Sequence, residues 1–310
     1  MEVVVQVGFR HSSVRRRDAA RAAVVVVLSL LVAAVAGCGS SGDGGGASGT
    51  GSPGTPSTIV SLSPTGTEML FAVGAGDQVV AVDDQSDFPA DAPRTELSGY
   101  TPNFEAILAH DPDLVVLTDD NNDIVANLER VGVEVLQLPA AKNLDETYAQ
   151  IEQVGEATGH EDEAEKLVAS MRTEIEQIIR TVPLREVPLT YYHELDDTYY
   201  TVTDDTYIGQ IYRLLGLRSI ATGQDGYPQL SAEFIIDSDP EVIFLADSQC
   251  CGVTPEKVAA RAGWGDLRAV ADDRIHVLDE DIASRWGPRV VDLFREVARI
   301  VSDAGVQATP

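Results

Sequence analysis

The stretch EDEAEKLVASMRTEIEQIIRTV, residues 161–182, constrains this chain more than any other. Ala164, Leu167, Val168, Met171, Ile175, Ile178, Ile179 and Val182 fall on one stripe of a 3.6-residue period, with Glu, Lys and Arg on the opposite face. Gly159 breaks the chain before this run and Pro183 stops it afterwards. At ~1.5 Å per residue such a helix spans roughly 33 Å, the width of a small domain. Alternating strand and helix patterns lie on both sides of it. The expected architecture is therefore two Rossmann-like α/β lobes with parallel sheets, joined by one long central helix.

The first lobe, expected over residues 58–160, opens with strand-like Ile59-Val60-Ser61-Leu62, the turn Ser63-Pro64-Thr65-Gly66 and a helix over 67–73. Strands follow at 79–82, 113–117 and 133–138, and helices at 104–110, 122–131 and 145–157. Asn143 and Glu146 have the spacing of a capping-box variant. The second lobe, over 183–310, has strand patterns at 187–192, 218–221, 241–246 and 274–278. Its helical patterns lie at 206–215, 231–236, 255–262 and 288–301. Apolar strands alternating with helices indicate a parallel sheet covered on both faces. One segment repeats without gaps at an offset of 128 residues. NFEAILAHDPDLVVLT (103–118) aligns with SAEFIIDSDPEVIFLA (231–246), pairing Glu105 with Glu233 and Asp111-Pro112 with Asp239-Pro240.

The amino terminus reads as an address. Arg15, Arg16, Arg17 and Arg21 precede an apolar run over 22–36, which is short for a bilayer span of ~20 residues but suits a signal-peptide core. The run ends Val35-Ala36-Gly37-Cys38, which resembles a bacterial lipobox, so residues 1–37 are expected to be a lipoprotein signal peptide and Cys38 the lipidated residue. Residues 38–57 are rich in Gly and Ser and are expected to tether a body that faces the extracytoplasmic side. Net charge is −28, and without residues 1–37 the remainder carries 17 basic and 48 acidic side chains. That excess disfavours nucleic acid and anionic lipid as partners. It leaves open an acidic surface kept for solubility or an acidic cleft for a cationic ligand.

IVSLSPTGTEMLFAVGAGDQVVAVDDQSDFP (59–89), NFEAILAHDPDLVVL (103–117) and YPQLSAEFIIDSDPEVIFL (227–245) resemble the iron-siderophore/vitamin B12 periplasmic-binding family, the substrate-binding proteins of ABC importers. The resemblance covers about residues 57–303 and rests on order and spacing rather than on any single motif. It implies two lobes on a rigid helix, with little closure on binding. It also implies a cleft that captures a metal chelate, either a cobalt corrinoid or a ferric siderophore, and an ABC permease dimer as partner. A monomer with no cofactor of its own is expected. In the same family one Glu per lobe docks onto the permease, and the resemblance carries that role onto Glu105 and Glu233.

Ligands of open α/β sheets sit beyond the carboxyl ends of the strands. In this chain the expected loops are Ser63-Pro64-Thr65, Asp83-Asp84-Gln85, Tyr100 and Thr118-Asp119-Asp120-Asn121 in the first lobe. In the second they are His193-Glu194, Tyr227, residues 247–251 and residues 281–286. Seven of the nine Tyr lie between 191 and 227, among them Tyr199. Aromatic faces grip flat ligands, and Tyr100 and Tyr227 stand where the resembled B12 binders are commonly aromatic. Arg285 and Trp286 are expected to begin the closing helix, and an Arg there resembles the family's pattern for contacting ligand carboxylate or amide groups. The expected ligand-binding set is Tyr100, Tyr227, His193, Tyr199, Arg285, Trp286, Asp119 and Cys250. Thr118 departs from the aromatic that a B12 binder can carry there, which argues against corrinoid specificity. Adjacent Cys250 and Cys251 can close a vicinal disulfide outside the cytosol or remain two free thiols.

Alternative readings are a haem receptor, a bare metal-ion receptor and a secreted enzyme. His110, His160, His193 and His276, the histidines of the expected mature body, supply few nitrogens for a zinc site of three or four ligands. Asp119-Asp120, Asp279-Glu280-Asp281 and His193-Glu194 offer acid and base groups. No nucleophile elbow, P-loop or HExxH spacing accompanies them, so the expectation is a binding protein, not an enzyme.

Overall fold

The computed structural model describes residues 55–306. The expected signal peptide, Cys38 and the expected tether before Thr55 lie outside the described residues. Two parallel sheets organise the body. The first has the order β3-β2-β1-β4-β5, with β1 at Ile59–Leu62, β2 at Val79–Asp83, β3 at Arg94–Leu97, β4 at Leu114–Leu117 and β5 at Glu134–Gln137. The second has the order β7-β6-β8-β9, with β6 at Leu189–Glu194, β7 at Leu217–Ser219, β8 at Val242–Leu245 and β9 at Ile275–Val277. The central strands β1, β4 and β8 are buried along their whole length, as apolar parallel strands covered on both faces must be. The edge strand β3, RTEL, was not expected. Its polar, half-exposed residues carry no apolar run to mark it.

The first lobe's helices are α1 (Pro64–Ala72), α2 (Phe104–Leu108), α3 (Ile124–Arg130) and α4 (Leu144–Thr158). Then α5 (Glu161–Thr181) crosses to the second lobe. There α6 (Tyr207–Leu214), α7 (Ala232–Ser238), α8 (Ser248–Cys251), α9 (Pro255–Ala259), α10 (Arg268–Ala271), α11 (Glu280–Ser284) and α12 (Val290–Val306) follow. Helix α1 begins three residues before the expected start. Ser63 is its N-cap, accepting from the Gly66 N–H, and Pro64 takes the first helical position, where its missing N–H costs nothing. Helix α4 is capped as expected, with Glu146 N–H donating to Asn143 Oδ1 at 2.9 Å. The Glu146 carboxylate reaches back to the Lys142 N–H at 2.8 Å rather than to Asn143 N–H.

The central helix buries Ala164, Val168, Met171 and Ile175. Burying each of the three larger side chains is worth about 1.5–3 kcal/mol relative to exposure. Helix α5 packs between α4 and α12, one from each lobe. Gly155 of α4 is needed at that crossing, because a Cβ there would come within 2.5 Å of the Ala164 Cβ. One apolar core runs on from Ile59, Met69 and Val154 through α5 to Tyr191, Phe244 and Phe294.

The internal repeat holds in space. Helix α2 and strand β4 begin at 104 and 114, and α7 and β8 begin at 232 and 242, each pair 128 residues apart. The matched turn residues Asp111 and Asp239 both adopt positive φ, 48° and 45°. Both strands sit second from the outer edge of their sheets. Sequence offset and sheet position therefore agree.

Candidate functional site

A cavity of about 440 Å³ opens at the carboxyl ends of the first-lobe strands and is closed on its far side by the second lobe. Strand ends supply Ser63, Pro64 and Thr65 after β1, Asp83 and Gln85 at β2, Gly99 and Tyr100 after β3, and Thr118 and Asp119 after β4. The second lobe contributes Asp281 and Ser284 of α11, then Arg285 and Trp286. A second groove, of about 340 Å³, lies between α4, α5 and α6 beside Tyr148 and Arg172. It is away from the strand ends, where parallel α/β sheets bind ligands, so the inter-lobe cavity is the candidate site.

Local chemistry sets the first wall. Gly99 lies so close to the backbone that a Cβ would approach Leu62 O to 2.3 Å, and Asn121 Nδ2 donates to Gly99 O at 3.0 Å. These contacts pin the loop on which Tyr100 stands, and Tyr100 itself is 79% exposed. Thr118 Oγ1 donates to Ser63 Oγ at 2.9 Å, joining the β1 and β4 ends. Asp83 is 2% exposed and its Oδ1 has no hydrogen-bond partner, so burial pushes its carboxyl above the usual range.

The floor is ionic and joins the lobes. Arg285 donates to Glu68 Oε1 at 3.0 Å and Asp87 Oδ1 at 3.1 Å, and pairs with Asp281 at 2.6 Å. A further bond runs to Gln85 O at 3.2 Å. Arg289 reaches the same Glu68 oxygen at 2.6 Å and lies 4.3 Å over the Phe88 ring. Trp286 Nε1 donates to Gln150 Oε1 at 2.9 Å, which turns the indole edge toward α4.

Of the expected ligand-binding residues, Tyr100, Asp119, Arg285 and Trp286 come together in this cavity. Arg285 and Trp286 do not begin the closing helix. They occupy the segment between α11 and α12, and the helix starts only at Val290, after Pro288. His193 and Glu194 were expected in a strand-end loop. Strand β6 instead extends through Glu194 and both side chains are fully buried. His193 Nδ1 lies 2.7 Å from the Tyr212 hydroxyl, and burial lowers its pKa to about 3. Tyr199 is not in the cavity wall either. Its ring stacks on Trp264 at 5.9 Å under the Arg261 guanidinium. Tyr227 is 52% exposed in the loop before α7, outside the cavity lining. Cys250 and Cys251 are bonded as a vicinal disulfide on α8, likewise outside that lining. The Cys250 N–H donates to Glu280 of α11.

Two groups of residues went unanticipated. Glu68 is polar at a helical core position, and its partners lie 217 and 221 residues away. Arg261 and Trp264 follow α9 and cover the carboxyl ends of β6 and β8. Arg261 grips Glu194 with two bonds of 2.5 and 2.6 Å and lies 4.7 Å over the Trp264 ring. Asp247 is buried beside this pair. Desolvation, and then the Glu194 charge, raise its pKa to about 7. Among the described residues, the cavity lining contains no histidine.

The model of the family described as "Periplasmic binding protein" matches residues 59–282. The chain belongs to that family. It is similar to an uncharacterized ABC transporter substrate-binding lipoprotein of Bacillus subtilis, 29% identical over 79% of this chain and 80% of the relative. It is also similar to the vitamin B12-binding protein of Vibrio cholerae, 28% identical over 80% of this chain and 90% of the relative. Among solved structures, a possible iron-binding (periplasmic solute-binding) protein from Staphylococcus epidermidis superposes with a TM-score of 0.71 at 25% identity. That match covers 80% of this chain and 99% of the other. The shared architecture that this superposition reflects is two α/β lobes with parallel sheets on a helical connection.

Proposed function

We propose that the protein is an extracytoplasmic substrate-binding lipoprotein of an ABC importer, which captures a cobalt corrinoid or a ferric siderophore between its lobes. The observation that carries this reading is the inter-lobe cavity, with exposed Tyr100 on one wall and Trp286 on the other. Aromatic faces suit a broad, flat chelate. The chelate is cargo, so the protein needs no cofactor of its own and performs no turnover. Relatives named for ABC transport and for vitamin B12 binding support the same reading.

Residues 1–37 then act as signal peptide, Cys38 carries the lipid, and residues 38–57 tether a monomeric body whose lobes, 58–160 and 183–310, flank the helix 161–182. Among the described residues no helix is long and apolar enough to cross a membrane. A lipid at Cys38 would hold the protein at the extracytoplasmic surface. Glu105 and Glu233, both exposed in the first turns of the equivalent helices α2 and α7, are proposed to meet the two halves of a permease dimer. Charge pairs at such an interface register the complex more than they tighten it.

Native mass spectrometry and visible absorption with cobalamin, haem and ferric siderophores test the binding function. A one-to-one complex with at least one chelate is expected. Failure of the folded protein to bind any of them, or conversion of one with release of product, would overturn it.

A further inference from the structure

We propose that the cleft selects metal chelates that are cationic or neutral and rich in N–H donors, and rejects polyanionic ones. This inference rests on the chelate-binding function proposed above and narrows its ligand class. Asp83, Asp119, Asp281 and Arg285 are the charged side chains that line the cavity. The single guanidinium is already committed, because Glu68 and Asp87 accept from it, the Gln85 carbonyl takes a further N–H, and Asp281 forms an ion pair with it. Its charge is thereby offset by the floor it stands on and is not free to receive an incoming carboxylate or catecholate. Arg289, the next cation along, is held by Glu68 and faces Phe88.

The carboxylates are differently placed. Asp83 is 98% buried, lines the cavity, and keeps one carboxyl oxygen without a partner. Its carboxylate lines the wall as a negative group with no cation paired to it among the described residues, so a ligand that presents an ammonium or amide N–H to this wall is favoured over one that presents an anion. Burial already pushes the Asp83 carboxyl above its usual range, and a nearby ligand cation would reverse that shift where a polyanion would add to it. Asp119 stands exposed at the rim and makes no ion pair among the described residues. One like-charge contact at about 5 Å and an effective dielectric of about 20 is worth roughly two orders of magnitude in affinity before salt screening. A trianionic tris-catecholate or the two propionates of haem would meet that opposition. The peripheral amides of a corrinoid, or a ferric trihydroxamate carrying a free amine, would instead find acceptors.

The test titrates the purified full chain with aquocobalamin, an amine-bearing ferric trihydroxamate, haem and a ferric tris-catecholate, at about 50 mM and about 500 mM salt. The expected result is that a cationic chelate binds at least about 100-fold tighter than the tris-catecholate at low salt, and that the margin shrinks about tenfold or more at high salt. Asp83→Asn combined with Asp119→Asn should narrow the low-salt margin by about tenfold. Should the buried substitution prevent folding, Asp119→Asn alone and the salt series on the unmodified protein carry the same expectation with a smaller change. A tris-catecholate or haem bound as tightly as the cationic chelates, with no opposite salt trend, would overturn the charge selection while leaving the chelate-binding function intact. Binding of none of the four by a folded protein would overturn that function and this inference together.

Discussion

At the carboxyl ends of the first sheet, Ser63, Tyr100, Thr118 and Asp119 line an open cavity. At the same ends of the second sheet, His193, Glu194 and Asp247 are completely buried, and Tyr199 lies flat on Trp264. Apart from the extra edge strand β3, the two sheets share strand order, β2-β1-β4-β5 matching β7-β6-β8-β9, and both carry polar and aromatic residues near these ends. They differ in what lies above them. After β8, α9 and the turn that follows bring Arg261 and Trp264 over the strand ends, where the guanidinium closes on Glu194 and the indole fills the space beside Tyr192. No corresponding cover follows β4, so its end faces the cleft. A polar residue at a strand end is therefore a ligand contact or a core ion pair according to the element packed on top of it.

The largest expected effect attacks that cover. Arg261→Ala should leave Glu194 and Asp247 buried without their cation and lower unfolding free energy by about 3–5 kcal/mol. Urea denaturation measures it, with Asp119→Ala as the first-lobe counterpart that changes stability little. A loss below about 1 kcal/mol for Arg261→Ala would mean the cover is not what holds these charges inside.

Next, Tyr100→Ala should weaken chelate binding by about 1–3 kcal/mol with an unchanged melting temperature. Tyr199→Ala should do the opposite, lowering the melting temperature and leaving affinity alone. Tyr227→Ala, on the second lobe outside the cavity lining, should weaken binding less than Tyr100→Ala. Equal affinity losses for Tyr100 and Tyr199 would erase the distinction between the lobes.

A smaller effect is the pH dependence that the buried groups of the second lobe contribute. The Asp247 carboxyl titrates at about 7 in the folded protein, against 3.8 when unfolded. Between those values the folded state holds the extra proton, so this group's contribution to stability falls as pH rises from about 4 toward 7. His193 works the other way. Its folded value of about 3 lies below the unfolded 6.5, so its contribution is present above 6.5 and is lost as pH falls toward 3. Asp247→Asn should remove the loss on the rising side, and its stability difference from the parent protein should grow in its favour between pH 5 and 8, followed by chemical denaturation. A constant difference across that range would exclude Asp247 as the titrating group.

The smallest effect on the isolated protein is expected where the lobes are alike. Glu105→Ala combined with Glu233→Ala should leave ligand affinity and melting temperature unchanged, yet reduce uptake in membranes containing the cognate permease. Normal uptake by the folded double variant would remove the docking role.

Much of this was legible in the chain because it depends on local periodicity and order. The stripe from Ala164 to Ile175 specifies a helix that must be buried along one side, and the apolar runs at β1, β4 and β8 specify strands covered on both faces. The Asp-Pro turns and the 128-residue offset specify that the lobes are related. Asp119 was recognisable because it closely follows the apolar strand β4, and Tyr100 because it stands at a position where the resembled family is commonly aromatic. Tertiary structure decided the rest. Whether His193, Glu194 and Tyr199 face a ligand depends on Arg261 and Trp264, which are some 60 to 70 residues away and show no pattern that points to them. Likewise the charge that Arg285 offers the cleft depends on Glu68, 217 residues earlier. Backbone periodicity tells a residue which element it joins and which face it takes. Pairing of buried charges is settled only when distant segments are brought within hydrogen-bond reach, because there the cost of desolvation makes a partner obligatory.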